Sequence, residues 1–190
     1  MNLAAQLAAL AVFSSLSMNL FLQCGLGMRG SVRKWETPVL FFQTGTVFLS
    51  VLLLWVIFSY ILSLGFFEYL LLFPASALVY AGLERLLFRL ILKKNIPENR
   101  IVGFCDGLTA ASLFLTLHLA SGFIDAVVLA LGFVLGVLLA LLILNEIRRR
   151  SCLEAVPRFL RGSPLALISM GLLSLIFSSA ALIFYRALGG

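Results

Sequence analysis

Residues 126–145 read AVVLALGFVLGVLLALLILN, closed on one side by Asp125 and on the other by Glu146-Ile147-Arg148-Arg149-Arg150. At a rise of ~1.5 Å per residue this uncharged run makes a helix ~30 Å long, the thickness of a bilayer's hydrocarbon core. Its apolar residues are continuous rather than alternating with a period of two, which excludes a strand of a membrane β-barrel. Only a helix satisfies its own backbone groups where there is no water to do so. Residues 126–145 therefore read as a transmembrane helix.

The rest of the chain repeats the pattern. Other stretches without an ionisable residue cover 1–28, 38–67, 69–83, 107–117 and 162–185. Apolar character continues past Asp106 and His118, and long side chains such as Arg85 and Arg89 can snorkel to an interface. The expected spans are about 3–27, 39–63, 69–91, 101–120, 124–145 and 164–185, giving an all-α integral membrane protein of six transmembrane helices. The whole chain, 1–190, is one membrane domain. Of its 190 residues, 62% are hydrophobic and 12% charged, against ~45–50% and ~25% in soluble proteins. The first span is too long for the ~7–15-residue apolar core of a signal peptide and lacks a basic leader.

The net charge of +6 does not mark a nucleic-acid surface, because its cations sit in short loops. Arg29, Arg33 and Lys34 follow the first span; Arg85, Arg89, Lys93, Lys94 and Arg100 flank the end of the third. Arg148, Arg149, Arg150, Arg158 and Arg161 follow the fifth. These three places hold 13 of the 14 basic residues. Cytoplasmic loops carry the excess of Lys and Arg, so both termini are expected outside.

The chain divides near Pro97 into halves of about 1–97 and 98–190. Three spans in each half imply two inverted repeats, the arrangement in which sites form on interrupted helices between repeats. The first helix of each half holds a cysteine beside glycine: Gln23-Cys24-Gly25-Leu26-Gly27 and Phe104-Cys105-Asp106-Gly107. Glycine weakens a helix locally. Cys24 lies five residues before Arg29 and Cys105 five after Arg100, which places both thiols about 7 Å inside the cytoplasmic charges. A disulfide is not expected on that reducing side. Two thiolates do not close a four-ligand iron or zinc site, so a metal held here needs ligands from a second subunit. Cys152 lies in the basic loop without a symmetric mate.

Other ionisable groups in or near spans have blander readings. Glu68 and Asp125 mark the outer interface, Glu84 pairs with a cytoplasmic-side arginine, Asp106 caps an interrupted helix, and His118 is an interfacial hydrogen-bonder. Gly132 and Gly136, four apart, offer a close-packing face for a partner chain or for another helix of this one. No nucleotide-binding, zinc-protease or catalytic-triad spacing is present. A small-solute transporter or a cluster-free scaffold would suit six helices equally, but a midplane composed mostly of Leu, Phe, Val and Ala favours a redox or scaffold subunit.

The approach to the sixth span carries the most specific pattern. Val156-Pro157-Arg158-Phe159-Leu160-Arg161-Gly162, then Ala166-Leu167-Ile168, then Gly171-Leu172-Leu173-Ser174-Leu175-Ile176-Phe177 resembles the A-type subunit of the Rnf electron transport complex. The E-type subunit of the sodium-translocating NADH:quinone reductase (Nqr) is its counterpart. The family pattern there is VPxxFRG, ALI and AGLMSL. Arg33-Lys34-Trp35-Glu36-Thr37 resembles the family's basic KKLET stretch, and Glu146-Ile147-Arg148 adds to the likeness, which covers essentially the whole chain.

The resemblance implies a subunit of a redox-driven Na⁺ or H⁺ translocase in a bacterial or archaeal inner (cell) membrane, not an enzyme on its own. It implies an inverted paralogue, the E-type subunit in Rnf or the D-type subunit in Nqr, among the partners. It also implies a 2Fe–2S cluster shared with that paralogue, its iron held here by Cys24 and Cys105. Neither a nucleotide nor a flavin is expected in this chain, nor a catalytic residue. Anchored on Arg33–Thr37, the family's first cysteine falls nearer Leu26 than Cys24; anchored on Val156-Pro157, the second falls near Thr109 or Ala110. Cys105 and Thr109 share a helix face at i,i+4. For topology, a thiol placed at Gly190 is expected to label from outside intact cells with an impermeant reagent, and labelling of Cys152 there would overturn the orientation.

Overall fold

The computed structural model describes residues 3–25, 37–60, 67–87, 89, 106–151 and 163–189. All regular structure among them is helical: α1 (Leu3–Val12), a π-helical turn (Phe13–Ser17), α2 (Leu20–Cys24), α3 (Thr37–Tyr60), α4 (Phe67–Leu87), α5 (Asp106–Leu119), α6 (Phe123–Ser151) and α7 (Ser163–Gly189). Five segments are long and apolar enough to cross a bilayer: Ala5–Cys24, Leu40–Tyr60, Leu70–Leu87, Phe123–Ile147 and Pro164–Ala187. The fourth expected span is represented by the shorter apolar helix Gly107–Leu119, and its residues 101–105 lie outside the described residues.

α3 and α6 form the centre, each with half of its apolar window buried, whereas α4 and α7 bury 22% and lie at the periphery. One core cluster joins Leu20 and Phe21 of α2 to Leu129, Phe133, Val137 and Leu141 of α6 and to Leu173 and Phe177 of α7. A second gathers Leu54, Trp55 and Phe58 of α3 with Leu72, Leu113 and Ala126. There the Trp55 ring stands 6.2 Å from Tyr60 and 6.1 Å from Phe123. The exposed Leu and Ile side chains of α4 and α7 need no partner, since lipid tails are as apolar as they are.

α5 and α6 form a tight hairpin. The Ala120 N–H donates to Thr116 O and the Ala126 N–H to Gly122 O, both at 3.0 Å, so few backbone groups of the turn are left to water. Ser121 donates its hydroxyl hydrogen to the Asp125 carboxylate at the start of α6. At the other end α6 continues through the arginines to Ser151, where Arg150 pairs with Glu146 at 3.0 Å one turn away.

Without a hydrophobic drive between helices in lipid, close approach depends on small residues, and α6 supplies two. A Cβ built on Gly132 would overlap Ser14 Oγ and come 2.9 Å from Ser14 Cβ. One built on Gly136 would overlap the Ser15 carbonyl oxygen and come 2.9 Å from Ser15 Cα. The glycine face seen in the sequence is thus filled by this chain's own first span. Residue numbers rise together along the contact, so the first span and α6 run in the same direction. At the opposite flank the Tyr185 hydroxyl reaches Ala9 O at 3.5 Å, which puts the start of α1 and the end of α7 on one side.

Gly136→Ala is expected to destabilise by ~1–3 kcal/mol, because its methyl overpacks against backbone that cannot swing aside. The same methyl at Gly171, which meets no atom within 4 Å, should leave stability unchanged or raise it by up to ~1 kcal/mol through the better helix propensity of Ala. Thermal unfolding midpoints in detergent or nanodiscs separate the two, and equal midpoints would contradict the packing described.

Candidate functional site

The first span is interrupted where the sequence places Ser14, Ser15 and Asn19 inside an apolar run. Serines in a helix interior bond back to the preceding turn and bend it. Ser14 Oγ donates towards Leu10 O (3.0 Å) and Ala11 O (3.2 Å), and Ser15 Oγ donates to Ala11 O (2.7 Å). The helix then widens into the π turn, closed by the Met18 N–H on Phe13 O at 2.8 Å. Such turns recur at functional sites. Met18 leaves the helical region (φ −112°, ψ 55°), and Asn19 is extended (φ −73°, ψ 101°).

Asn19 restarts the helix. Its Oδ1 accepts from the Leu22 N–H at 3.2 Å, the N-cap bond that satisfies a first-turn donor. Its Nδ2 donates to Ser15 O at 3.3 Å and to Gly136 O of α6 at 2.9 Å. The side chain is 2% exposed and uses both donors and an acceptor. Gln23 reaches back across the break, its Nε2 donating to Ser17 O. These bonds give partners to Ser15 O, Ser17 O and the Leu22 N–H beside the break, groups that hydrocarbon would leave unpaired.

Its depth follows from α6. Gly136 lies 13 residues after Phe123 and 11 before Ile147, the limits of the apolar segment, so Asn19 sits near the middle of the span. Cys24 ends α2 five residues later, about 7 Å further along. Leu20, Phe21 and Leu22 are buried, while Cys24 is exposed and carries a free thiol. Gly25 follows in the left-handed conformation (φ 65°, ψ 17°), which a residue with a Cβ adopts only at a cost of ~1–2 kcal/mol. The helix ends directly after the thiol for that reason.

The sequence located a weak point in the first helix at the glycines after Cys24. The helix does end there, at Gly25, and it is interrupted once more before that, at Met18–Asn19. Asn19 was missed, although an Asn inside an apolar run of this length is itself a signal. Cys105 and Cys152 lie outside the described residues, as do the side chains of Glu68 and Asp106. Thr109, where the family pattern puts its second cysteine, is 0% exposed. It belongs to a buried ladder in which Ser112 Oγ donates to Thr109 O (3.1 Å) and Thr116 Oγ1 to Ser112 O (2.6 Å).

The interior is more polar than the composition suggests. Thr46 and Ser50 of α3 and Ser76 of α4 are buried as well. Glu84 is 3% exposed and so lies inside the bundle, while its neighbour Arg85 is exposed. Gln43 is 6% exposed, and its Oε1 has no hydrogen-bond partner among the described residues. His118 is exposed, its Nδ1 3.0 Å from Phe114 O and its ring 4.4 Å from the Phe114 ring, in keeping with an interfacial role.

Among the described residues no group of three or more His, Cys, Asp or Glu could hold a metal ion. What they offer an iron–sulfur centre is one exposed thiolate-forming side chain on a braced helix end. That donor set does not by itself enclose an iron–sulfur centre among the described residues.

The chain matches no protein-family model. It is similar to the A-type subunit of the ion-translocating oxidoreductase complex of Buchnera aphidicola subsp. Schizaphis graminum (strain Sg). The two are 31% identical over a region covering 69% of this chain and 70% of that protein.

Proposed function

The chain belongs to the family of A-type subunits of ion-translocating oxidoreductase complexes, and we propose on that premise that it relays electrons within such a complex through a 2Fe–2S cluster shared with an inverted paralogue. It is a multi-pass membrane subunit of an ion-translocating oxidoreductase complex. Cys24 and Cys105 are the residues that would hold the iron on this side. The halves 1–97 and 98–190 act as inverted repeats, and both termini face outward.

The observation that carries the reading is Cys24 itself, an exposed thiol ending a five-residue helix that begins near the middle of the membrane. A continuous helix would have placed position 24 wherever its turn fell. Here the break re-aims the chain, and Leu20, Phe21 and Leu22 fix α2 against α6 and α7 while Cys24 stays open to another subunit. When bound, the cluster supplies one-electron transfer between carriers on the two faces of the membrane. The complex couples that transfer to movement of Na⁺ or H⁺.

The purified wild-type complex is expected to show a 2Fe–2S paramagnetic signal and matching iron content, both lost in Cys24→Ala with the subunit composition intact. A signal of unchanged size in the variant would overturn ligation by Cys24. Membership of the complex would stand, since it rests on sequence similarity.

A further inference from the structure

We propose that Asn19 is a positioning residue for the Cys24 thiol, acting through both ends of its side-chain amide. The inference rests on the reading that Cys24 serves the redox centre, and its thiol readout can be scored without that reading.

The chemistry of the break singles out a carboxamide. An N-cap alone could be Ser, Thr or Asp. A change of direction alone could be glycine. Here one planar group must accept a hydrogen bond from the first turn of α2 and donate two to carbonyls on different segments. Of the short side chains that cap helices, only Asn carries two donors and an acceptor in that form. Oδ1 fixes the start of α2 through Leu22 N, and Nδ2 ties the same residue to Ser15 O behind the break and to Gly136 O across it.

The tie to Gly136 gives α2 a fixed reference. Gly136 lies within the 29-residue α6, so its carbonyl is held by the longest helix among the described residues. α2 has only five residues, too few to be stable alone, and must take its position from what anchors it. The buried Leu20, Phe21 and Leu22 set its rotation, and Asn19 sets its distance from α6. Cys24, at the other end of those five residues, moves with them. The side chains at 132 and 136 are also reduced to hydrogen, which lets the Asn19 segment come close enough to bond a backbone carbonyl.

The test uses the assembled complex purified from membranes, with Asn19→Leu and Asn19→Asp. Leu keeps the size and removes both functions of the amide. Asp keeps the capping oxygen and, when ionised, loses both donated bonds. Two quantities are read: the rate at which N-ethylmaleimide alkylates Cys24, mapped by mass spectrometry, and the g values of the paramagnetic signal that depends on Cys24. Both variants are expected to retain wild-type subunit content and shifted g values. Alkylation should be about tenfold faster, the factor equivalent to about 1.4 kcal/mol of lost anchoring.

If Asn19→Leu does not assemble, Asn19→Asp decides. An assembled Asn19→Asp complex with wild-type g values and an alkylation rate within about twofold of wild type, or about 0.4 kcal/mol, overturns the assignment. A wild-type complex without any signal that Cys24→Ala removes ends the cluster reading instead. The alkylation ratio then judges Asn19 alone.

Discussion

A backbone carbonyl left without a partner in hydrocarbon costs on the order of several kcal/mol, and a helix interrupted in mid-membrane creates such groups. The first span meets that constraint with one buried side chain. The Asn19 amide takes Ser15 O on one side of the break, starts α2 on the other, and adds Gly136 O of α6. Gln23 adds a bond to Ser17 O, and the two serines bond back to Leu10 O and Ala11 O within the span. A helix ending in an exposed thiol can therefore start near the middle of the membrane rather than at its edge.

The same contact organises the packing around α6. Gly132 and Gly136 let the π turn lie against α6 at backbone distance, and the large apolar residues between and beyond them, Phe133 and Val137, fill the space on either side. Small-xxx-small faces in membrane helices are commonly read as dimerisation surfaces. In this chain the face is consumed internally, while another face of α6, with Leu131, Leu135 and Leu139, stays exposed together with the outer sides of α4 and α7.

Much of this architecture was legible from residues 126–145 outward, because the bilayer imposes a length and a polarity on every span. The short turn between α5 and α6 and the glycine pair on α6 could be read in the same way. The location of the break could not. Asn19 inside an apolar run is a signal of a polar task, but which task Ser14, Ser15 and Asn19 perform depends on Gly132 and Gly136 being brought against them, residues more than a hundred positions away. Cys24 stood out by residue type, whereas its exposure depends on how α2 is anchored. The buried ladder of Thr109, Ser112 and Thr116 escaped notice because Ser and Thr barely dent an apolar average. Glu84, expected to pair with a cytoplasmic-side arginine, is buried at 3% exposure while Arg85 and Leu86 on the same turn are exposed, a difference that residue type alone does not give.

The most direct test of the account is the backbone conformation at residues 18 and 19 in a lipid bilayer, read from solid-state NMR Cα and Cβ chemical shifts. The account predicts extended-type shifts at Asn19, with helical shifts before it in α1 and after it in Leu20–Cys24. Unbroken helical shifts from Ala5 through Cys24 would contradict it, because α2 would then have no separate start and Cys24 no independent placement.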